Sequence, residues 1–208
     1  SPVSVIPALA EHLIAAGGKR LRPLLTVAAA RLAAGRGGQP TADDAYLKLA
    51  AAVEFIHTAT LLHDDVVDGS TLRRGKTAAH LIWGGSSSVL VGDFLFARAF
   101  ELMVETGSLR ALNILAHASS VIAEGEVLQL MNMHNAALDE ASYLQVIRSK
   151  TAKLFEASAR VGALLAGASA SQEAACATYG QALGTAFQVI DDVLDYDGNA
   201  AEMGKNLG

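Results

Sequence analysis

Leu61-Leu62-His63-Asp64-Asp65-Val66-Val67-Asp68 closes a long apolar run, and the same D-D-x-x-D spacing returns at Val189-Ile190-Asp191-Asp192-Val193-Leu194-Asp195. In a helix, residues four apart share a face about 5–6 Å apart, so Asp64 stacks on Asp68 and Asp191 on Asp195. Such pairs repel each other. At a helix C-terminus the macrodipole disfavours them further, so a compensating cation is needed. Oxygen donors without a neighbouring cysteine suit magnesium, with manganese as a substitute. A single such cluster also reads as a solvated helix end. Two copies on different helices, each flanked by apolar residues, favour a site inside a helical bundle. His57, Thr60, Asp64 and Asp68 fall on one stripe, and Gly184, Gln188, Asp191 and Asp195 on another.

Outward from these motifs the chain reads as helices joined by short loops. Pro23 and Gly35 bracket a helix ending at Ala34. The next is expected to be capped by Thr41, with Asp43 and Asp44 in its first turn, and to run to about Asp68. Gly69 to Thr77 reads as a basic loop and Ala78 to Trp83 as a short apolar turn. Further helices are expected at Ser88–Val104, Ser108–Asn132, Asp139–Leu165 and Ser171–Asp195, before an acidic tail from Tyr196 to Gly208. No strand signal or internal repeat is present.

Composition narrows the function. Half of the 208 residues are apolar and aromatics are 5%, which favours an all-α bundle rich in Ala and Leu. Every apolar stretch approaching about 18 residues is interrupted by a charge, so no transmembrane segment is expected. The apolar excess has two outlets, an oligomer interface and a cavity for an apolar ligand. A net charge of -5 argues against nucleic acid. The one cysteine, Cys176, reads as a small buried helix residue, and the start of the chain lacks signal-peptide features, so a cytoplasmic location is expected.

Two basic clusters suit phosphate, through arginine's planar fork and lysine's mobile charge. They are Lys19-Arg20-Leu21-Arg22 behind Gly17-Gly18, and Arg73-Arg74-Gly75-Lys76 just after the first acidic motif. Either also reads as a solvated surface. Lys150, inside an apolar helix, either snorkels outward or points into the site.

Taken together, Gly17–Pro23, Glu54–His57, Leu62–Asp68, Leu72–Gly75, Gly92–Leu95, Lys150-Thr151, Gly184–Asp195 and Gly204-Lys205 resemble the trans-type polyprenyl diphosphate synthases in order and spacing. That family includes farnesyl, geranylgeranyl, octaprenyl and decaprenyl diphosphate synthases. The resemblance implies an isoprenoid-synthase-type helical bundle around a central apolar cavity, and head-to-tail condensation of isopentenyl diphosphate with an allylic diphosphate. It implies three magnesium ions held by Asp64, Asp68 and Asp191, with Asp65, Asp192 and Asp195 assisting or acting through water. Arg73, Lys150 and Lys205 would hold the allylic diphosphate, and Lys19, Arg22, His57 and Arg74 isopentenyl diphosphate. Thr151 and Gln188 would sit beside the reacting carbon. A homodimer with transient membrane contact for product release is expected, as a single domain over 1–208 that is incomplete at one or both ends.

Competing readings are a phosphohydrolase of the H…HD…D type, a terpene cyclase and a non-catalytic regulatory subunit. The first leaves the second aspartate motif unexplained. A cyclase does not need the Lys19, Arg22 and Arg74 set, and a regulatory subunit would have lost motif residues. For product length, a chain anchored at Asp64 must pass Thr60, Ile56 and His57, with Ala59 beside them. The small Ala59 and Thr60 would let it pass to a stop at Phe96, Phe100 or Met103. The expectation is a product of about forty to fifty carbons, in the range of quinone side chains, with each bulky side chain on this face stopping the chain roughly one isoprene unit sooner. One alternative is a product of about fifteen to twenty carbons; another is that Ala59 and Thr60 are ordinary core packing and a different wall sets the length.

Overall fold

Glycines and capping side chains cut the chain into helices at nearly every expected place, in a computed structural model that describes residues 1–35, 38–41, 43–131 and 139–197. The order is α1 (Val5–Ala15), α2 (Leu21–Ala34), α3 (Ala45–Val67), β1 (Leu72–Arg73), β2 (Lys76–Thr77), α4 (Ala79–Trp83), α5 (Gly85–Glu105), α6 (Leu109–Met131) and α7 (Glu140–Ile147). A π-helical turn (Arg148–Ala152), α8 (Lys153–Leu165) and α9 (Ala170–Asp197) follow. The fold is the helical one expected.

Several expectations are corrected. Thr41 does not cap α3. Its buried hydroxyl has no hydrogen-bond partner, and Asp43 instead accepts the Ala45 N–H at 3.2 Å, so both aspartates precede the helix. α9 is capped by Ser169, not Ser171: Ser169 Oγ accepts from Gln172 N–H at 3.3 Å while Gln172 Oε1 accepts from Ser169 N–H at 2.9 Å, a reciprocal box. The basic loop is a hairpin pairing Leu72 with Thr77 and Arg73 with Lys76. Its turn residues Arg74 and Gly75 both have positive φ, 52° and 76°, as a two-residue hairpin turn requires. α1, unassigned from sequence, is also present.

The chain forms two compact units, each with its own core, and α3, α5 and α9 contribute residues to both. The first comprises Ser1–Arg20, Phe55–Ala99 and the described part of Asp191–Gly208. Its core joins Leu9 and Leu13 of α1, Ala59 and Leu62 of α3, Ala79 of α4, and Val91 and Leu95 of α5. His12 fastens α1 by donating from Nε2 to the Thr77 carbonyl at 2.8 Å and setting its ring edge against Trp83.

The second unit comprises Leu21–Glu54 and Phe100–Ile190. Here small residues let helices touch. A Cβ at Gly162 would lie 2.1 Å from the Thr26 carbonyl oxygen, so α8 meets α2 backbone to backbone, and Ala29, Ala159 and Ala163 pack beside that crossing. Cys176 borders this cluster half-buried, and burial pushes its thiol pKa up. Phe155 is fully buried, a contribution of about 2–3 kcal/mol. By length and composition α3 could cross a membrane, but 56% of its apolar window is buried within the protein.

Candidate functional site

In the first unit, α3 ends where its aspartates begin to crowd. The Asp68 N–H bonds the Asp64 carbonyl at 2.7 Å, Ser70 N–H bonds the Asp65 carbonyl at 3.1 Å, and Gly69 turns the chain at φ 61°. Asp64 is left half-buried, Asp68 exposed, and Asp65 points inward at 1% exposure. The hairpin then returns Arg73 to Asp65. Nε donates to Oδ1 at 2.9 Å and a terminal nitrogen donates to the same oxygen. The sequence points Asp65 to metal and Arg73 to phosphate without pairing them, because the link depends on a turn that seven intervening residues conceal.

The same hairpin carries Arg74 to the other basic motif. Its Nη1 donates to the Gly17 carbonyl, and a Cβ at Gly18 would sit 2.5 Å from that nitrogen. Gly18 thus makes room for the guanidinium that the Gly17 carbonyl receives, and the next residue, Lys19, is exposed. His57 is half-buried on α3. His63 is a packing residue: Nε2 faces the Val89 carbonyl at 3.1 Å and the Asp93 carboxylate at 3.4 Å, two acceptors that require the proton on that nitrogen. A Cβ at Gly92 would fall 2.3 Å from it, which explains that glycine.

The described end of α9 belongs to this unit too, so both aspartate motifs lie in one compact body. Asp191, Asp192 and Asp195 are half-buried, whereas the flanking Ile190, Val193 and Leu194 are exposed, unlike buried Leu62. Among the described residues no three His, Cys, Asp or Glu side chains converge as a ready cage. The donor chemistry nevertheless fits a hard divalent cation. All six candidates are carboxylates, Asp65 Oδ2 is buried without a hydrogen bond, and magnesium habitually completes its shell with water and substrate phosphate.

In the second unit, Lys150 and Thr151 sit in the π-helical turn, a distortion frequent at functional sites. Thr151 Oγ1 donates to Gln188 Oε1 at 2.7 Å, joining two residues the sequence had grouped. Gly184 permits this: a Cβ there would lie 2.6 Å from Ala152 Cα. The Arg22 guanidinium lies 4.4 Å over the Phe155 ring. Lys150 neither simply snorkels nor stands alone, since its Nζ donates to Glu126 Oε2 at 3.0 Å. Glu126 was missed by sequence reasoning. Its signal was Gly125, a mid-helix glycine marking a close approach.

Of the chain-length candidates, Ile56, Ala59 and Met103 are fully buried. Ala59 packs inside the first unit's core, with Phe96 at that core's edge. Thr60 is half-buried and donates to the His57 carbonyl at 2.8 Å, while Phe100 is exposed. A cavity of about 380 Å³ in the second unit is lined by Arg110, Asn113, His117, Lys153, Glu156 and Arg160 among others, none of them a predicted site residue. Gly204 and Lys205 lie outside the described residues.

A family model described as polyprenyl synthetase matches residues 3–208. The octaprenyl diphosphate synthase of Escherichia coli (strain K12) is 50% identical over 208 residues, which is 100% of this chain and 62% of that protein. The geranylgeranyl diphosphate synthase of Saccharolobus solfataricus is 38% identical, over 94% of this chain and 59% of its own length. The solved structure of a polyprenyl synthase from Caulobacter crescentus CB15, complexed with calcium and isoprenyl diphosphate, gives a TM-score of 0.94 at 67% identity, covering 100% of this chain and 62% of that one. The chain therefore spans about three fifths of the length of the curated relatives it matches.

Proposed function

Because the chain belongs to the polyprenyl synthetase family, we propose that it carries the aspartate-bearing part of a trans-prenyltransferase that joins isopentenyl diphosphate to an allylic diphosphate. The observation that carries this reading is the assignment of both D-D-x-x-D segments to one compact unit. Two groups of stacked carboxylates in one body make an anionic surface whose natural counterpart is a multivalent cation carrying a diphosphate.

Asp64, Asp68 and Asp191 would hold magnesium, with Asp65, Asp192 and Asp195 assisting. Three ions are proposed, with manganese as a substitute, and the calcium in the Caulobacter crescentus structure is consistent with a divalent site. Bound magnesium would neutralise charge developing on the departing diphosphate. Arg73, Lys150 and Lys205 would bind the allylic diphosphate, and Lys19, Arg22, His57 and Arg74 the isopentenyl diphosphate. The allylic C–O bond breaks, and the diphosphate leaves with the electron pair. The isopentenyl double bond then attacks the allylic carbon. A proton lost from the adjacent carbon goes to the departed diphosphate, restoring a double bond. Thr151 and Gln188, fixed by their mutual hydrogen bond, would present oxygen dipoles to the developing cation.

The finer reading is a long-chain product of about forty to fifty carbons, which a bulky side chain on this face of α3 would shorten by roughly one unit per helical turn, favoured by small Thr60 and by the similarity to the Escherichia coli octaprenyl enzyme. The similarity to a geranylgeranyl diphosphate synthase keeps a shorter product as the alternative outcome. Exposed Leu90, Val104, Leu109, Val127 and Met131 motivate a homodimer, which light scattering at micromolar concentration tests directly. A cytoplasmic setting, with brief membrane contact for product release, goes with the apolar product and the single cysteine.

The deciding experiment is a magnesium-dependent assay with isopentenyl and farnesyl diphosphates on the wild type and on Asp64→Ala and Asp191→Ala. Each variant should lose at least about a hundredfold in turnover while keeping its helical circular dichroism. Wild-type rates in either would sink the two-motif mechanism.

A further inference from the structure

The ion pair of Lys150 with Glu126 is built into the backbone. α6 approaches the π-helical turn so closely that a Cβ at Gly125 would fall 2.9 Å from Ser149 Cβ and 3.0 Å from the Lys150 nitrogen. That approach sets the next residue, Glu126, beside the lysine, with Nζ to Oε2 at 3.0 Å and about a quarter of each side chain exposed. A lysine ammonium on four rotatable carbons is otherwise mobile, and holding it still has an entropic cost. One carboxylate oxygen accepts from one of its three N–H groups, which leaves donors for a second anion.

We propose that Glu126 is a positioning residue for the allylic diphosphate: it holds the Lys150 ammonium in place before that substrate arrives. The proposal rests on the reading of Lys150 as a ligand of that diphosphate. It does not make Glu126 a substrate ligand, since a carboxylate would repel the anion. Its influence should therefore run wholly through Lys150 and touch one substrate.

The test is a double-mutant cycle of Glu126→Ala and Lys150→Ala, with steady-state kinetics for farnesyl and isopentenyl diphosphates and a thermal melt for each variant. Glu126→Ala should raise KM for farnesyl diphosphate about tenfold, the loss expected for one charge-assisted hydrogen bond. It should leave KM for isopentenyl diphosphate unchanged and add nothing in the Lys150→Ala background. Glu126→Gln, which keeps an acceptor oxygen, should recover part of the loss. Additive effects of the two changes, or equal rises in both KM values with a lowered melt, would show mere packing and overturn the proposal. A damaging Lys150→Ala with a silent Glu126→Ala sinks the proposal alone. A silent Lys150→Ala sinks the reading of Lys150 and the proposal with it.

Discussion

Arg73 sets two of its nitrogens on a single oxygen of Asp65, a carboxylate only 1% exposed. Removing one partner of a buried pair strands the other, which costs about 3–5 kcal/mol, and the quarter-exposed Arg73 places this pair near the lower end. Asp65→Ala should therefore destabilise the chain by about 3 kcal/mol in urea titration. Asp64→Ala, at a half-buried carboxylate, should change stability far less. Equal stability losses in the two variants would show that the motif's aspartates are equivalent.

Glycine at 184 is a packing requirement. Its added Cβ would meet Ala152 Cα at 2.6 Å and Phe155 Cβ at 2.9 Å, atoms that cannot rotate away. Gly184→Ala should lose about 1–3 kcal/mol by overpacking and should also weaken the Thr151–Gln188 pair one turn on. At Gly85 the same change meets only Val66 Cγ1 at 3.6 Å. A melting temperature for Gly85→Ala within a few degrees of wild type, beside a clear drop for Gly184→Ala, is the expected result.

The contrast shows what a linear pattern carries. α3, α5 and α6 were legible because apolar residues recur over many turns and the punctuation lies close by. The hairpin was not, since strands of two residues offer no alternation, although Arg74-Gly75 held the turn. The π-helical turn at Lys150 leaves the hydrophobic rhythm nearly unbroken, and Asp139–Leu165 therefore read as one helix. The motif residues were visible in the sequence. Their neutralising partners were not, because Glu126 reaches Lys150 across 24 residues.

The cap of α7 gives a pH-dependent prediction. Asp139 accepts the Ser142 N–H at 2.8 Å, and that backbone hydrogen bond lowers its pKa below the usual carboxylate value. A folded value below the unfolded one means that the cap stabilises the protein above the unfolded pKa and ceases to do so as pH falls through the folded one. Asp139→Ala should lower the urea midpoint at pH 7, and the gap from wild type should begin to close below about pH 4. A gap independent of pH would assign the loss to helix propensity alone.

Thr60 and Ala59 make opposite predictions for product length, although they are adjacent. Ala59 is fully buried among Leu9, Leu13, Leu62, Ala79, Val91 and Leu95, so a phenylalanine there has no space and should unfold the first unit's core. Thr60 is half-buried, lies one turn before Asp64 on its stripe, and ties its hydroxyl back to the His57 carbonyl at 2.8 Å. A bulky ring at Thr60 would stand about 5.4 Å, one helical turn, from the aspartate. That is roughly one isoprene unit from the anchored diphosphate. Thr60→Phe should therefore fold, retain condensation with isopentenyl diphosphate, and shorten the product to well below about forty carbons. Reversed-phase chromatography of the dephosphorylated products reads this directly. A folded Thr60→Phe with an unchanged product, or a wild type that already stops at the shorter length, would refute the passage of the growing chain along this face of α3.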